Sequence, residues 1–329
     1  MNSSVELDAR AAAARDWALQ QLELRDADFA PASADASFRR YFRLEAGTRS
    51  WVLMDAPPER EDCRPFLQVA ALLHEAGLNA PQIIAQDLAR GFLLLSDLGR
   101  QTYLHAINAD NADALMSDAI DALIRWQLAS RPGVLPAYDA PLLRRELALF
   151  PDWYVARHLA TALSDAQTAS LAAIDTLLVE SALAQSRVYV HRDYMPRNLM
   201  ISTPNPGILD FQDAVEGPIA YDVVSLFKDA FLSWPAERVD AWRQQYAERA
   251  RRAGLPLADD ATFARQFDWM GVQRHLKVIG IFARINYRDG KPHYLADVPR
   301  FIGYVREVAG RYRELAPLLQ LFDDLGMSA

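Results

Sequence analysis

Two stretches of this chain carry residue types that could move a phosphoryl group. Val188-Tyr189-Val190-His191-Arg192-Asp193-Tyr194-Met195-Pro196-Arg197-Asn198-Leu199-Met200 reads as a short apolar strand, a polar loop and a second short strand. Gly207-Ile208-Leu209-Asp210-Phe211-Gln212-Asp213 follows and ends in an acidic loop. A carboxylate at Asp193 can orient an attacking hydroxyl and accept its proton. The amide oxygen of Asn198 and the carboxylate of Asp210 are hard oxygen donors suited to magnesium, which neutralises a triphosphate. The bland alternative is a polar loop between two core strands, and a lone His-x-Asp would favour it. Here several fixed positions, a flanking strand and a second acidic loop agree.

The elements that must position these residues fall in a clear order. A helix is expected over residues 5–24 with Ser3 or Ser4 as its cap, then three strands across residues 28–55 with Gly47 at a turn. Pro57 and Pro58 break that pattern. Phe66, Val69, Leu72 and Leu73 recur at helical spacing over 62–76 and Gly77 ends that helix, after which Pro81–Asp87 and Gly91–Leu95 read as two more strands. Ser96-Asp97-Leu98-Gly99 looks like a hinge. Beyond it the pattern is helical from about 102 to 185 and again from about 219 to the end. This predicts an α+β chain with a small mixed lobe at residues 1–97 and a larger, mainly helical lobe at 98–329.

Composition narrows the function classes. A chain of 329 residues suits one large domain or two medium ones sharing a cleft. Its net charge of -8 argues against a general nucleic-acid binder. Cys63 is the single cysteine, so no internal disulfide forms, which fits a reducing compartment. The six histidines are scattered and form no zinc-ligand pattern. The N-terminal residues are acidic, without the apolar run of a signal peptide, and Phe92-Leu93-Leu94-Leu95 is far too short to span a bilayer. These features predict a soluble cytoplasmic protein with no membrane partner and no evident obligate protein partner.

The spacing His191-Arg192-Asp193…Asn198, with Asp210-Phe211-Gln212 following, resembles the catalytic and metal loops of protein kinases. With the lobe order, the chain resembles the aminoglycoside phosphotransferase and choline kinase group, which has the protein-kinase-like two-lobe fold. The segment Gly217-Pro218-Ile219-Ala220-Tyr221-Asp222-Val223-Val224-Ser225-Leu226 is similar to a helix opening of that group, in which the residue matching Asp222 braces the catalytic loop. A closer resemblance lies in Asp35-Ala36-Ser37-Phe38-Arg39-Arg40-Tyr41-Phe42-Arg43, Leu53-Met54-Asp55-Ala56-Pro57-Pro58, Phe150-Pro151-Asp152-Trp153-Tyr154, Leu276–Arg284 and Arg288-Asp289-Gly290-Lys291. Together these look like the bacterial anomeric kinases of N-acetylmuramate and N-acetylglucosamine in cell-wall recycling. The resemblance implies an ATP- and magnesium-dependent phosphotransferase acting on a sugar's C1 hydroxyl. Other small-molecule kinases of the same fold, for an aminoglycoside, choline, homoserine or a sugar amine, remain alternatives, as does a non-catalytic nucleotide-binding scaffold.

The chain departs from the kinase pattern at the strand lysine that meets the phosphates. Met54 occupies that position, and Gln68 stands near the glutamate that would pair with it. Losing both halves is coherent, since a buried glutamate without its lysine is costly. Candidates for the replacement cation are Arg39, Arg40 and Arg43, which follow the turn where Ser37 and backbone N–H groups would cradle phosphates. The hinge residues Leu94, Ser96 and Asp97 are candidates for the adenine side. His191 and Asp213 are read as supports of the site, Asp213 alternatively as a helix cap. Arg192 either touches substrate or pairs with an acid. Asp152, Trp153, Tyr154 and Arg284 are candidates for holding the sugar, Trp153 alternatively as core. From Arg274 to Glu314 nine Lys or Arg face four Asp or Glu, a surplus that would repel a polycationic aminoglycoside, although solvated helix faces give the same count.

Overall fold

The computed structural model describes residues 8–33 and 38–328. The chain divides into two compact units, residues up to 101 with 200–213, and 102–199 with 214 onward.

The first unit is built on a five-stranded antiparallel sheet of β1 (Asp28–Ser33), β2 (Arg40–Ala46), β3 (Arg49–Asp55), β4 (Ile83–Asp87) and β5 (Phe92–Ser96), in the order β1-β2-β3-β5-β4. These are the five strands expected from the apolar runs. Phe42 and Leu44 alternate inward along β2 with Leu53, Phe92 and Leu94 beside them. On this face lies α1 (Ala9–Gln21), which buries Ala11, Ala14, Trp17 and Ala18. The helix is shorter than the expected 5–24. Asp8 is its cap, accepting the Ala11 N–H at 2.8 Å, because a short carboxylate satisfies the unpaired N–H groups of a first turn; Ser3 and Ser4 lie outside the described residues. Asp55 is fully buried where α1 meets the sheet and accepts from Arg10 Nε at 2.7 Å and Arg40 Nη2 at 2.5 Å. α2 (Arg64–Glu75) buries Phe66, Val69, Leu72 and Leu73, the residues whose spacing announced it.

The second unit is helical around one short strand pair. Its helices are α3 (Tyr103–Ala106), α4 (Ala112–Leu128), α5 (Ala140–Leu147), α6 (Asp165–Leu183), α7 (Ala220–Phe227), α8 (Ala236–Arg252), α9 (Asp260–Asp289), α10 (Val298–Ala309) and α11 (Ala316–Asp324). α9 runs through the interior, and 17 of its 30 residues are buried. The strand β6 (Arg187–Val190) pairs antiparallel with Val215–Pro218. That second strand corrects the sequence reading, which placed Gly217 and Pro218 at a helix opening; α7 begins at Ala220. The physical reason is packing. Tyr138 lies flat on Gly217, where a Cβ would come within 2.6 Å of the tyrosine Cβ, and the ladder to Val188 runs through that glycine. Among the described residues no helix is long and apolar enough to cross a membrane.

Candidate active site

The loop after β6 is clamped from beneath. Asp222, fully buried in α7, accepts the backbone N–H of His191 at 2.6 Å and of Arg192 at 3.0 Å. Burial pushes its carboxyl up to about 7, against the opposing pull of those two donors. The residue resembling a loop brace thus touches the loop backbone directly. Arg192 has φ +76°, the left-handed region that L-residues seldom occupy. The Asp193 N–H then donates to His191 Nδ1 at 3.3 Å. The Asp193 carbonyl accepts from the Met195 N–H at 3.0 Å and Asn198 Nδ2 at 2.9 Å. Tyr194, buried, ties its hydroxyl to the Ala119 carbonyl at 2.8 Å, and its ring meets that of His191 edge-on. These bonds fix the loop backbone on both sides of Asp193, while the Asp193 residue itself is partly exposed. Such a carboxylate on a fixed loop can orient a hydroxyl and take its proton.

The acidic loop belongs to the first unit. Phe211 is buried and packs on Phe66 of α2 with ring centroids 4.7 Å apart. Asp210 is exposed, with φ +62° and Oδ1 accepting from Gln212 Nε2 at 3.0 Å. Asp210 and Arg192 are two of only four non-glycine residues with positive φ among the described residues, so both stretches of chemical interest hold unusual backbone. Asn198 commits its Nδ2 to the loop carbonyl, and its Oδ1 is a hard oxygen of the kind magnesium takes. Asp210, in the first unit, carries an anionic oxygen of the same kind. Asp213 is exposed, and α7 begins without any side-chain cap, so Asp213 does not serve as one.

The nucleotide candidates separate by what they touch. Ser37 lies outside the described residues. Met54 is fully buried, opposite Tyr41 on β2 and Leu93 on β5. Arg40 is held by Asp55 and Asp8. Arg43 grips Asp97 with two nitrogens, at 2.6 and 3.0 Å, and donates to the Gly99 carbonyl at 2.7 Å. Burial pushes the Asp97 carboxyl up, but Arg43 and the Gly99 N–H outweigh it and hold it below the ordinary carboxylate range. Arg39 pairs with Glu61 at 2.9 Å. Gln68 faces outward from α2. Leu94 points into the α1 face, and the Ser96 N–H donates to the Gln82 carbonyl at 2.9 Å.

The sugar candidates sit on two packed helices of the second unit. Phe150–His158 winds as a π-helix, with the Leu159 N–H bonded to the Tyr154 carbonyl at 2.9 Å. Such widened turns recur at functional sites. Asp152 is exposed, Trp153 half-buried, and Tyr154 buried between Phe150 and His158. α9 meets the start of this helix at Gly280, where a Cβ would lie 2.3 Å from the Leu149 carbonyl carbon. Arg284, one turn further along α9, keeps a buried Nε without a hydrogen-bond partner.

Comparison with known proteins now adds to this geometry. Residues 28–260 match the model of the phosphotransferase enzyme family. The chain belongs to that family. Relatives of this phosphotransferase include the N-acetylmuramate/N-acetylglucosamine kinase of Pseudomonas putida KT2440, 60% identical over 91% of this chain and 88% of the relative. The enzyme of the same description from Neisseria meningitidis serogroup B is 47% identical over 94% of each. Among solved structures, the choline kinase LicA of Streptococcus pneumoniae superposes with a TM-score of 0.65 at 9% identity, over 91% of this chain and 99% of that one. The ADP-bound aminoglycoside phosphotransferase APH(2'')-Ib gives 0.62 at 14% identity, over 91% and 98%. At these identities the likeness shows the fold, the α+β protein-kinase-like one.

In this phosphotransferase the sequence reading passed over one residue that touches the loop. The Arg192 guanidinium pairs with Glu146 of α5, its Nη2 2.5 Å from Oε1. The structure gives Arg192 an acid partner, one of the two alternatives read from the sequence. Nothing in the local pattern of α5 sets Glu146 apart from a solvated helix residue; only its burial does.

Proposed function

We propose that this phosphotransferase is a sugar kinase that moves the γ-phosphoryl group of ATP onto the anomeric C1 hydroxyl of N-acetylmuramate and N-acetylglucosamine, a cytoplasmic step of peptidoglycan recycling. The observation that carries the reading is the Asp193 loop, braced through Asp222, in a chain 60% identical to a kinase named for those two sugars. Asp193 accepts a hydrogen bond from the C1 hydroxyl and then its proton, as the new oxygen–phosphorus bond forms and the bond to ADP breaks. The hemiacetal hydroxyl is the most acidic on the sugar. In a loose transition state little proton transfer is needed early, so Asp193 need not be a strong base. Asn198 and Asp210 would hold magnesium, which when bound neutralises triphosphate charge.

All three arginines pair with carboxylates, Arg40 with Asp55 and Asp8, Arg43 with Asp97 and Arg39 with Glu61, and of the three Arg39 is assigned to the phosphates. Its pair with Glu61 is the same kind of cation–carboxylate pair that kinases draw from a strand lysine and a helix glutamate. Asp152, Trp153, Tyr154 and Arg284 are assigned to the sugar.

The test is turnover by Asp193→Asn. Losing the base is expected to cut kcat by about 10²–10⁴-fold while ATP binding stays nearly unchanged. Near-normal kcat in the folded variant would remove Asp193 from the mechanism. Phosphorus–carbon coupling in the product should place phosphate on C1; a 6-phosphate, or turnover of a methyl glycoside, would sink the anomeric assignment.

A further inference from the structure

Glu146 gathers four donors from three parts of the second unit: the loop after β6, α9 and the segment before α5. Its Oε1 accepts from Arg192 Nη2 at 2.5 Å and lies 3.0 Å from Lys277 Nζ on α9. Its Oε2 accepts from Gln273 Nε2 at 3.3 Å and from the Tyr138 hydroxyl. Lys277 in turn donates to the Tyr221 hydroxyl at 2.9 Å. A carboxylate offers about four acceptor positions, and here all are used. Glu146 is 5% exposed and Lys277 8%. Burial alone would push the Glu146 carboxyl up, yet Lys277 and Arg192 hold it below the ordinary range.

Two cations and a carboxylate taken out of water are a weak route to stability, since apolar residues of similar volume often do as well. Their arrangement does fix a geometry. The far end of the Arg192 side chain is pinned at Glu146, its N–H is pinned at Asp222, and between them the backbone takes φ +76°. The next residue is Asp193. If the side chain were released, Arg192 could relax to negative φ, and the Asp193 carboxylate would swing with the peptide.

We propose that Glu146 and Lys277 are positioning residues, which hold the Arg192 guanidinium so that its backbone stays left-handed and Asp193 meets the reacting hydroxyl. The role assigned to Asp193 rests on the sugar-kinase reading above.

Arg192→Gly and Arg192→Ala decide between positioning and direct substrate contact. Both remove the guanidinium, and both leave Glu146 paired one-to-one with Lys277, so the interior stays balanced. Glycine adopts positive φ without steric cost and alanine does not, so kcat of the Gly variant should exceed that of the Ala variant by about fivefold or more. Equal kcat in the two would overturn the proposal, because a lost substrate contact is the same loss in both. Glu146→Gln, which keeps the shape and removes the charge, should lower kcat at least about tenfold with KM for ATP and sugar within about twofold. A raised sugar KM with unchanged kcat in that variant would instead place Glu146 in substrate binding and overturn the positioning role. Lys277→Met should fall between Glu146→Gln and wild type. Should Glu146→Gln fail to fold, the glycine–alanine pair still decides. A wild-type enzyme that phosphorylates neither sugar would overturn the sugar reading by itself, and the Gly-over-Ala ranking would then be read on ATP hydrolysis.

Discussion

Each unit of this phosphotransferase buries one carboxylate between two cations, and the two arrangements serve different ends. In the first, Asp55 lies between Arg10 and Arg40, and a second carboxylate, Asp8, completes the set. These groups join a helix end to a sheet and to the turn before β5, where Arg10 donates to the Arg90 carbonyl at 2.6 Å, and none of these residues has a positive φ. In the second, Glu146 lies between Arg192 and Lys277, and one arm ends on a left-handed residue beside Asp193. The chemistry of the pairs is alike. What differs is the backbone they constrain, so the first network should be read out in stability and the second in turnover.

The most damaging change to the first network is Asp55→Asn. It leaves Arg10 and Arg40 facing a neutral group at a fully buried position; since both guanidinium groups are about a third exposed and Arg40 keeps Asp8, the cost is that of lost charged hydrogen bonds, about 1.5–3 kcal/mol. The expected result is a large drop in the urea midpoint with kcat per folded molecule unchanged. A comparable fall in kcat at unchanged stability would erase the distinction between the networks.

Asp222→Asn sharpens the comparison, because Asp222 is a buried acid that holds loop backbone and, among the described residues, forms no ion pair, Arg274 acting on it only through its charge. An amide oxygen can accept one of the two N–H groups, and the other is left facing the Asn NH2, a loss of roughly 1–3 kcal/mol. Both stability and kcat should fall. The pH dependence has a definite sign. With its carboxyl raised to about 7 in the folded state, Asp222 holds a proton that the unfolded chain gives up near pH 4. Its contribution is therefore fully present below about pH 4 and is lost as pH rises through about 7. Asp175 and Asp229, each pushed up to about 6 by burial, act in the same direction and remain in the variant. Urea midpoints at pH 4 and pH 8 should thus differ less in Asp222→Asn than in wild type. An unchanged difference would mean that Asp222 does not titrate in that window.

How much of this was legible in the sequence follows from the range of each interaction. The five strands, α2 and the Asp193 loop were readable because alternation, helical spacing and loop chemistry are local. Asp222 was reached through resemblance, and the structure supplied its contact. The strand at Val215–Pro218 was hidden because Gly217 and Pro218 suggest an opening turn, whereas their pairing with β6 and the packing of Tyr138 are tertiary. The π-helix at Phe150–His158 has no periodic signature in nine residues. The partners of Arg40 and Arg43 and the Glu146–Lys277 contact are choices among many acids and bases distant in the chain. Alternation predicts which way a side chain points, but not which charge it will find.

The smallest expected effect comes from Asp8→Ala, and it bears most directly on the comparison. Asp8 caps α1 through the Ala11 N–H and also holds Arg40. It is largely exposed, so solvent screens the ion pair, and the measurable loss should be that of the cap, about 1 kcal/mol. Without Asp8 the first network consists of two cations on one carboxylate, the stoichiometry that Glu146 already sustains with Arg192 and Lys277. If that ratio is tolerable wherever the remaining donors are satisfied, the urea midpoint should fall only by the cap's share and kcat should not move. The Arg40 pair also holds the Asp8 carboxyl below its ordinary value. Its contribution is thus present above about pH 4 and fades as pH falls below it, so variant and wild type should converge in acid. A loss as large as that of Asp55→Asn would show that the fourth charge is indispensable, and that Glu146 must then be balanced by another anion, for which Asp193 is the nearest in sequence to Arg192.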